Sequence, residues 1–346
     1  MKEKKIQIGG QAVIEGVMMR GPDQIATAVR RKDGSIDLQK RPFISVTQTH
    51  PIWKLHIIRG FVSLIEMLII GIKTLNFSGE RYELDYTEKD THEEIMLDTE
   101  KDQKKIQKRK KIYETLSIGL AFIGAFILFG YVPYFLSSLL QLSKNDIFFN
   151  FFAGIIRIVF FILYVYLISF MKEIRSVFEY HGAEHKAVYA HEQKSDLTIK
   201  NVQTFTTIHP RCGTSFMFLV LLIAILVFSL IDTIIAFYWG QFSTIATSLF
   251  NIDNDKITTL IGAFIRLLAH IPFLPLISGI SYEIIKLPRR NEGNLFIKMI
   301  TGPGMALQRI TTKQPNDNQV ETAIIALKAA LNEDLSEFKN VNLVGY

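Results

Sequence analysis

The sequence contains a single cysteine, Cys212, among its 346 residues, which excludes an intramolecular disulfide framework. No apolar segment follows the charged start of the chain, residues 1–5, so we expect no cleavable signal peptide. The net charge of +6 is modest and the basic residues cluster in loops, so a nucleic-acid partner is not required. Cys212 is therefore either an ordinary buried thiol or a metal ligand.

Long apolar blocks dominate the chain, of which 49% is hydrophobic. Four blocks reach the roughly 20 apolar residues that a transmembrane helix needs. They cover residues 114–140, 147–171, 213–240 and 257–285. The blocks predict an all-α integral membrane protein, with four transmembrane helices in a domain that spans residues 113–285.

Basic residues indicate the side of the membrane on which each loop lies. Residues 101–111 carry seven of them, and the middle loop, residues 172–212, carries six. The tail begins with Lys286, Arg289 and Arg290, whereas the two remaining loops hold one lysine each. The positive-inside rule therefore predicts a plasma-membrane protein with the middle loop and both termini in the cytoplasm.

Two segments with recognisable sequence patterns precede the first apolar block. Residues 1–54 are predicted to form a small cytoplasmic N-terminal β segment, because Asp33-Gly34 between two strand-like runs signals a hairpin. Residues 55–76 predict an interfacial or re-entrant amphipathic helix, since Arg59 and Glu66 share a face opposite an apolar one.

The remaining segments carry weaker patterns. Residues 77–112 change from acidic to basic without an apolar period, which predicts a charged flexible linker. No proline interrupts residues 147–186, so we expect one continuous helix there. The cytoplasmic tail, residues 286–346, contains an amphipathic pattern at 318–335 that predicts a docked helix, and Gly302-Pro303-Gly304 predicts a tight turn.

The motif His181-Gly182-Ala183-Glu184-His185 carries the clearest chemical signal. Two histidines four residues apart lie on one helical face and can bind a single metal ion. Glu184 lies beside the second histidine, where it can take a proton from a metal-bound water. The pattern H-x-x-E-H is the inverted zinc-hydrolase motif. Zinc is the expected ion. The candidates for a third ligand are His209, Cys212, Glu179 and Glu283.

Two other interpretations of these residues remain open. His181, His185, His209 and Cys212 could form a closed four-ligand site that only stabilises the loop, because structural zinc uses four protein ligands. The histidines could also be ordinary side chains that hydrogen-bond to lipid or to the loop backbone.

Several ionisable residues fall within the predicted spans, where charges are costly and usually face a cavity or a partner. They are Arg157, Asp232, Arg266 and His270. Asp232 is expected to neutralise one arginine, and Arg266 and His270 share a helical face. The group predicts either a structural ion pair or a polar path that accepts an anion.

Three motifs together resemble the YqhQ-like family of bacterial multi-pass membrane proteins. They are Gly10-Gln11-Ala12-Val13-Ile14-Glu15-Gly16-Val17-Met18-Met19-Arg20, His181-Gly182-Ala183-Glu184-His185-Lys186 and His209-Pro210-Arg211-Cys212-Gly213-Thr214. The resemblance covers most of the chain, including Gly302-Pro303-Gly304. It implies a multi-pass plasma-membrane protein of a family of unknown function whose members are often labelled predicted metal-dependent enzymes.

The functional hypothesis is a metal-dependent hydrolase that acts on a peptide or a lipid-derived ester at the bilayer surface. One alternative is a non-enzymatic transporter of an anionic lipid or an ion, and another is a scaffold that assembles or regulates membrane proteins. The expected partners are membrane lipids, together with further copies of the chain or another membrane protein.

Overall fold

The computed structural model describes residues 8–94, 147–210, 212–250, 268–286 and 295–345, with residue 265 and parts of 116–139. The chain divides into two compact units. The sheet unit comprises residues 1–95, 165–218 and 282–346, and the apolar unit comprises residues 96–164 and 219–281.

The sheet unit is built around five strands in the order β1-β2-β3-β4-β5. The strands are β1 (Gly9–Val13), β2 (Gly16–Arg20), β3 (Gln24–Arg30), β4 (Ile36–Pro42) and β5 (Val341–Leu343). The first four pair antiparallel, and β5 adds to β4 in parallel. The predicted N-terminal β structure is confirmed, with Gly34 at a φ of 88° in the turn of the expected hairpin.

Helices make up most of the described chain. They are α1 (Val46–Thr49), α2 (His56–Glu94), α3 (Val132–Ser138), α4 (Ile147–Ile168), α5 (Lys172–Glu192), α6 (Ile199–Gln203), α7 (Gly213–Phe250), α8 (Leu274–Lys286), α9 (Leu295–Thr311) and α10 (Asp317–Ala330). Short 3-10 turns cover Pro51–Lys54 and Ile271–Phe273, and a π-helical turn covers Ile127–Tyr131.

Helices α5 and α10 pack on the sheet and on each other. Helix α10 begins with a capping box in which Asn316 and Gln319 satisfy each other's backbone N–H groups. Its residues Val320, Ile324 and Leu327 are buried in the main core, as the amphipathic pattern predicted. Burial of this face removes it as a surface for an outside partner.

Three helices are long and apolar enough to cross a membrane, namely Phe148–Ile168, Gly213–Ile235 and Leu268–Lys286. They correspond to three of the four predicted blocks. The first block, residues 114–140, lies only partly within the described residues, where a shorter apolar helix covers Gly119–Phe129. The membrane-helix prediction is confirmed for three spans, and four spans are not.

The prediction of one helix over residues 147–186 is wrong. Helix α4 ends at Ile168, and α5 begins after Met171, which has an extended backbone with φ −69° and ψ 136°. The Ser169 hydroxyl donates to the carbonyl of Tyr166 at 2.6 Å, a local bond that competes with helix continuation. The H-x-x-E-H motif therefore lies on a helix of its own.

Two further segments differ from the prediction. The expected linker at residues 77–112 is helical as far as Glu94, where α2 ends, and Asp85 pairs with Arg31 near strand β4; residues 95–112 lie outside the described residues. Gly302-Pro303-Gly304 lies inside α9 instead of forming a turn. Gly302 has no Cβ to clash with the proline ring, and a Cβ on Gly304 would come within 2.9 Å of the Ser215 Cβ.

Candidate metal centre

Helix α5 places the central motif in the interior of the sheet unit. His181, Glu184 and His185 are all buried, although each has a polar or ionisable side chain. The helix can enter the core because Gly182 lies against the backbone of Lys313, where an added Cβ would come within 2.0 Å of the carbonyl oxygen. Lys313 in turn donates its N–H to the carbonyl of Phe178 at 2.8 Å.

We expect the close approach at Gly182 to make its replacement costly. Gly182→Ala should destabilise the fold by about 1–3 kcal/mol, because the neighbouring backbone must move to accept the new Cβ. Gly79→Ala, in helix α2, is the matched control, since its Cβ would meet nothing nearer than a side-chain methyl at 4.0 Å. Thermal unfolding in detergent checks the pair, and equal melting temperatures would contradict the packing argument.

The two histidines of the motif are held in the same way. His181 Nδ1 lies 2.8 Å from the carbonyl oxygen of Thr311, and His185 Nδ1 lies 2.5 Å from that of Thr207. Because a carbonyl only accepts a hydrogen bond, each Nδ1 carries a proton, and the lone pair of the neutral ring is then on Nε2. Backbone partners of this kind orient imidazole ligands in metal sites.

Cys212 completes a three-ligand group with these histidines. The possible ligand atoms of His181, His185 and Cys212 all lie within 4.8 Å of one another, and the three residues are buried. His181 Nε2 is 3.2 Å from Cys212 Sγ, which also receives the N–H of Thr214 at 3.4 Å. Among the described residues, His185 Nε2 is buried without a hydrogen-bond partner. An imidazole nitrogen that has no hydrogen-bond partner and lies beside a thiol belongs to a set of ligand atoms that fits zinc.

Glu184 lies at the edge of this group. One of its carboxylate oxygens is 3.5 Å from His185 Nε2. Burial raises the pKa of Glu184, and His181, His209 and the N–H of Gly10 partly offset that effect. A Cβ on Gly10 would lie 2.6 Å from the Glu184 Cγ, so only glycine lets strand β1 approach the carboxylate this closely.

His209, a predicted ligand, lies beside the three-ligand group and faces a different partner. Its Nε2 is 3.5 Å from a carboxylate oxygen of Glu192, and its ring meets the ring of Tyr189 edge-on at 4.5 Å. The ring centroid of His209 is 5.6 Å from that of His185. The other predicted ligands are engaged elsewhere, Glu179 with Gln319 and Glu283 with Arg59.

Two buried polar residues that sequence reasoning missed hold the surrounding loop. The Gln308 side chain accepts the N–H of His209 at 2.8 Å and donates to the carbonyl of the same residue at 2.9 Å. Lys186 donates to the carbonyls of Gln203 and Phe205, and burial lowers its pKa. Both contacts position the loop that supplies the Thr207 carbonyl. Lys186 ends the motif that begins at His181, but the motif does not reveal its role, and Gln308 belongs to no motif.

The ionisable residues of the apolar unit form a separate set. His270 Nε2 lies 3.1 Å from an oxygen of Asp232, and the His270 ring stacks on Phe228 at 4.1 Å. Arg157 donates from Nε to the carbonyl of Phe129 at 3.2 Å. The direct contact of Asp232 is therefore with histidine, where an arginine was expected, while Asp232 acts on Arg157 electrostatically. Arg266 lies outside the described residues.

Comparison with known proteins gives two matches. A family model described as "Protein of unknown function (DUF1385)" matches residues 55–333, a range that contains the three-ligand group. A protein of Bacillus subtilis (strain 168) named "Uncharacterized protein YqhQ" is 33% identical over 335 residues, which cover 95% of this chain and 94% of the relative. No solved structure matches the chain.

Proposed function

The chain belongs to the DUF1385 family, as the resemblance of its motifs predicted, and we propose from its own side chains that it is a membrane-bound, metal-dependent hydrolase. The metal is a divalent transition ion, with zinc expected, held by His181, His185 and Cys212. One observation carries the proposal. Both histidines give their Nδ1 protons to backbone carbonyls, so that both Nε2 lone pairs are available beside the cysteine sulfur.

The size of the ligand group favours a catalytic site over a structural one. Structural zinc sites use four protein ligands, whereas catalytic sites use three and keep a position for water or substrate. The ligand group contains His181, His185 and Cys212. His209, the predicted fourth ligand, is not part of it, and its Nε2 lies 3.5 Å from Glu192 instead. A zinc ion held there would act as a Lewis acid and lower the pKa of water in the remaining position. Glu184 would accept the proton from that water.

The location of the centre supports a substrate at the membrane surface. Cys212 immediately precedes Gly213, where one membrane-spanning helix begins. Three residues separate helix α5 from α4, whose membrane-spanning part ends at Ile168. A peptide or a lipid-derived ester that lies along the cytoplasmic face of the plasma membrane is the substrate class we propose.

The two non-enzymatic alternatives have less support. An anion path through the apolar unit would use Arg157, which keeps its positive charge while it donates to the carbonyl of Phe129, but His270, a second predicted member of that path, is paired with Asp232. A scaffold was expected to use residues 55–75 and 318–335, but the apolar face of 318–335 is buried in α10, so only the exposed apolar residues of 55–75 are left for such a role.

Cobalt substitution tests the proposed centre without knowledge of the substrate. We expect Co²⁺ added to the detergent-purified, metal-stripped protein to give a thiolate-to-cobalt charge-transfer band that Cys212→Ser abolishes. Azide should then shift the visible d–d bands, because an exchangeable ligand position accepts a small anion. Cys212 and Ser215 lie close in sequence, so Ser215→Ala serves as the control and should keep the charge-transfer band.

Either of two results would count against the proposal. A charge-transfer band that survives in Cys212→Ser would remove the sulfur from the ligand set. Visible bands that azide leaves unchanged would indicate a closed site, in which Glu184 or another side chain fills the fourth position and the metal only stabilises the fold.

A further inference from the structure

Helix α2 has a buried face and an uncovered apolar face. The buried face includes Glu66, Ile70, Thr74 and Phe77, which pack toward the strands. The uncovered face is a stripe, here called the α2 stripe, whose members are each 40–61% exposed. Its residues are Ile65, Leu68, Ile69, Ile72 and Leu75. Their three- and four-residue spacing makes one continuous surface along the helix.

The start of α2 extends this apolar surface. Ile52, Trp53 and Leu55 are also exposed, and they precede the helix directly. The stripe itself contains no charged side chain, while exposed lysines, Lys54 and Lys73, stand at its borders. An exposed apolar stripe bordered by lysine and tryptophan is the composition of a helix that lies in a membrane interface.

A group of cations surrounds Tyr282 at the beginning of α2, and we call it the Tyr282 cluster. Arg59 pairs with Glu283 at 2.5 Å, and its guanidinium lies 5.6 Å from the Tyr282 ring. Lys286 Nζ lies 3.8 Å from the centre of the same ring. Arg20, the third cation, lies near Tyr282 and near Glu66, whose negative charge favours the charged guanidinium.

In the part of the chain that the structure describes, the Tyr282 cluster contains three cations and only two nearby carboxylates, so part of its positive charge is not neutralised by these carboxylates. Glu283 is engaged with Arg59, and Glu66 accepts hydrogen bonds from the Ser45 hydroxyl and the Val46 N–H. Arg20 packs its guanidinium over the Phe43 ring at 4.4 Å and has no carboxylate within ion-pair distance among the described residues. Burial lowers the pKa of Arg20. An added phosphate would stabilise a half-buried guanidinium of this kind.

The ion pair of Arg59 also relates α2 to the membrane boundary. Tyr282, Glu283 and Lys286 lie in the last turns of α8, where the membrane-spanning helix Leu268–Lys286 ends. Contact between Arg59 and Glu283 therefore ties the first turn of α2 to the end of that helix.

We propose that the α2 stripe lies in the bilayer interface and that Arg20, Arg59 and Lys286 bind the phosphate of an anionic phospholipid headgroup. A lipid accounts for both halves of the surface, since its acyl chains cover the stripe and its phosphate meets the cations. A protein partner would have to reach a helix that is tied to the end of a membrane span. The site shares no residue with the candidate metal centre and does not depend on the hydrolase proposal.

Trp53 supplies a natural probe for this contact. The chain has two tryptophans, so Trp239→Phe leaves Trp53, which is exposed beside the start of α2, as the sole tryptophan. The full chain is reconstituted in vesicles of one fixed mixture of phosphatidylglycerol and phosphatidylcholine. Bromine is placed on the acyl chains of one lipid or of the other, and quenching of Trp53 fluorescence then reports which lipid lies nearby.

We expect both labelled lipids to quench Trp53, with brominated phosphatidylglycerol the stronger quencher per molecule. The preference should be on the order of fivefold, the factor that one basic residue at an anionic surface supplies. Arg20→Gln and Lys286→Gln should each reduce this preference and leave total quenching in place. Lys200→Gln is the matched control, because Lys200 is exposed on α6 and belongs to neither the stripe nor the cluster.

The outcomes separate the two parts of the inference. Equal quenching by the two lipids would overturn the headgroup site. An absence of quenching by either lipid would overturn the whole proposal and point to a protein that covers the stripe. Metal content, measured on the same samples, should be the same in all these variants, so a failure here and a failure of the hydrolase proposal are distinguishable.

Discussion

Removal of either motif histidine should abolish stable metal binding. We expect detergent-purified wild-type protein to carry close to one zinc or other transition-metal ion per chain by mass spectrometry. His181→Ala and His185→Ala should each lower the metal affinity by more than about 100-fold, since even loss of a partner behind a ligand costs about 10–100-fold. The physical reason is the loss of one of three ligands that the fold holds within 4.8 Å of each other.

The matched control lies on the same helix. His191→Ala removes an imidazole from α5 that is outside the three-ligand group, and this variant should keep the wild-type metal content. His209→Ala tests the geometry more sharply, because the sequence proposes His209 as a ligand and the structure turns it toward Glu192. Wild-type protein that binds no metal even after incubation with zinc would remove the main support for the hydrolase.

The sequence predicts the histidine pair and the cysteine of this centre separately, but it does not predict that they meet in space. His181 and His185 follow from helical spacing alone, and Cys212 follows from its position at the start of an apolar block. The carbonyls of Thr207 and Thr311 that fix the imidazoles cannot be inferred from residue types, because every residue has a carbonyl. Long-range packing of the chain decides which of them point inward.

Local patterns also fail where tertiary contacts outweigh propensity. The absence of proline suggested one helix through residue 186, yet α4 ends at Ile168, and no residue type announces this break. Gly302-Pro303-Gly304 suggested a turn, yet it lies inside helix α9, where Gly304 packs closely against Ser215. By contrast, Asp33-Gly34 and the period of residues 318–335 predicted their elements correctly, since each carries its own local or amphipathic signal.

Glycines mark where the sequence does hold information about assembly. Gly10 and Gly182 both fall in the quoted motifs, and each permits an approach that a Cβ would block. Gly10 admits the Glu184 carboxylate, while Gly182 admits the backbone of Lys313. A glycine next to a candidate catalytic residue thus indicates close packing, but the partner in that packing is visible only in the structure.

Replacement of Glu184 by glutamine should separate catalysis from metal binding. The amide keeps the shape of the side chain and can still accept the N–H of Gly10, but it cannot take up a proton. We therefore expect Glu184→Gln to retain its metal and to lose hydrolysis by about 10²–10⁴-fold, the usual contribution of a general base. The assay compares purified proteins in lipid vesicles on fluorogenic peptides and on lipid-derived esters, with metal content measured in parallel.

Glu173→Gln provides the same chemical change on the same helix, because Glu173 is exposed in the first turn of α5, far along the helix from the motif. This variant should hydrolyse at the wild-type rate. Loss of metal in Glu184→Gln would assign the carboxylate to the ligand set, consistent with its distance of 3.5 Å from His185 Nε2, and would favour a closed structural site. Retained metal with unchanged hydrolysis would show that another group accepts the proton, since a buried carboxylate that serves as the base cannot be replaced by an amide without loss of rate.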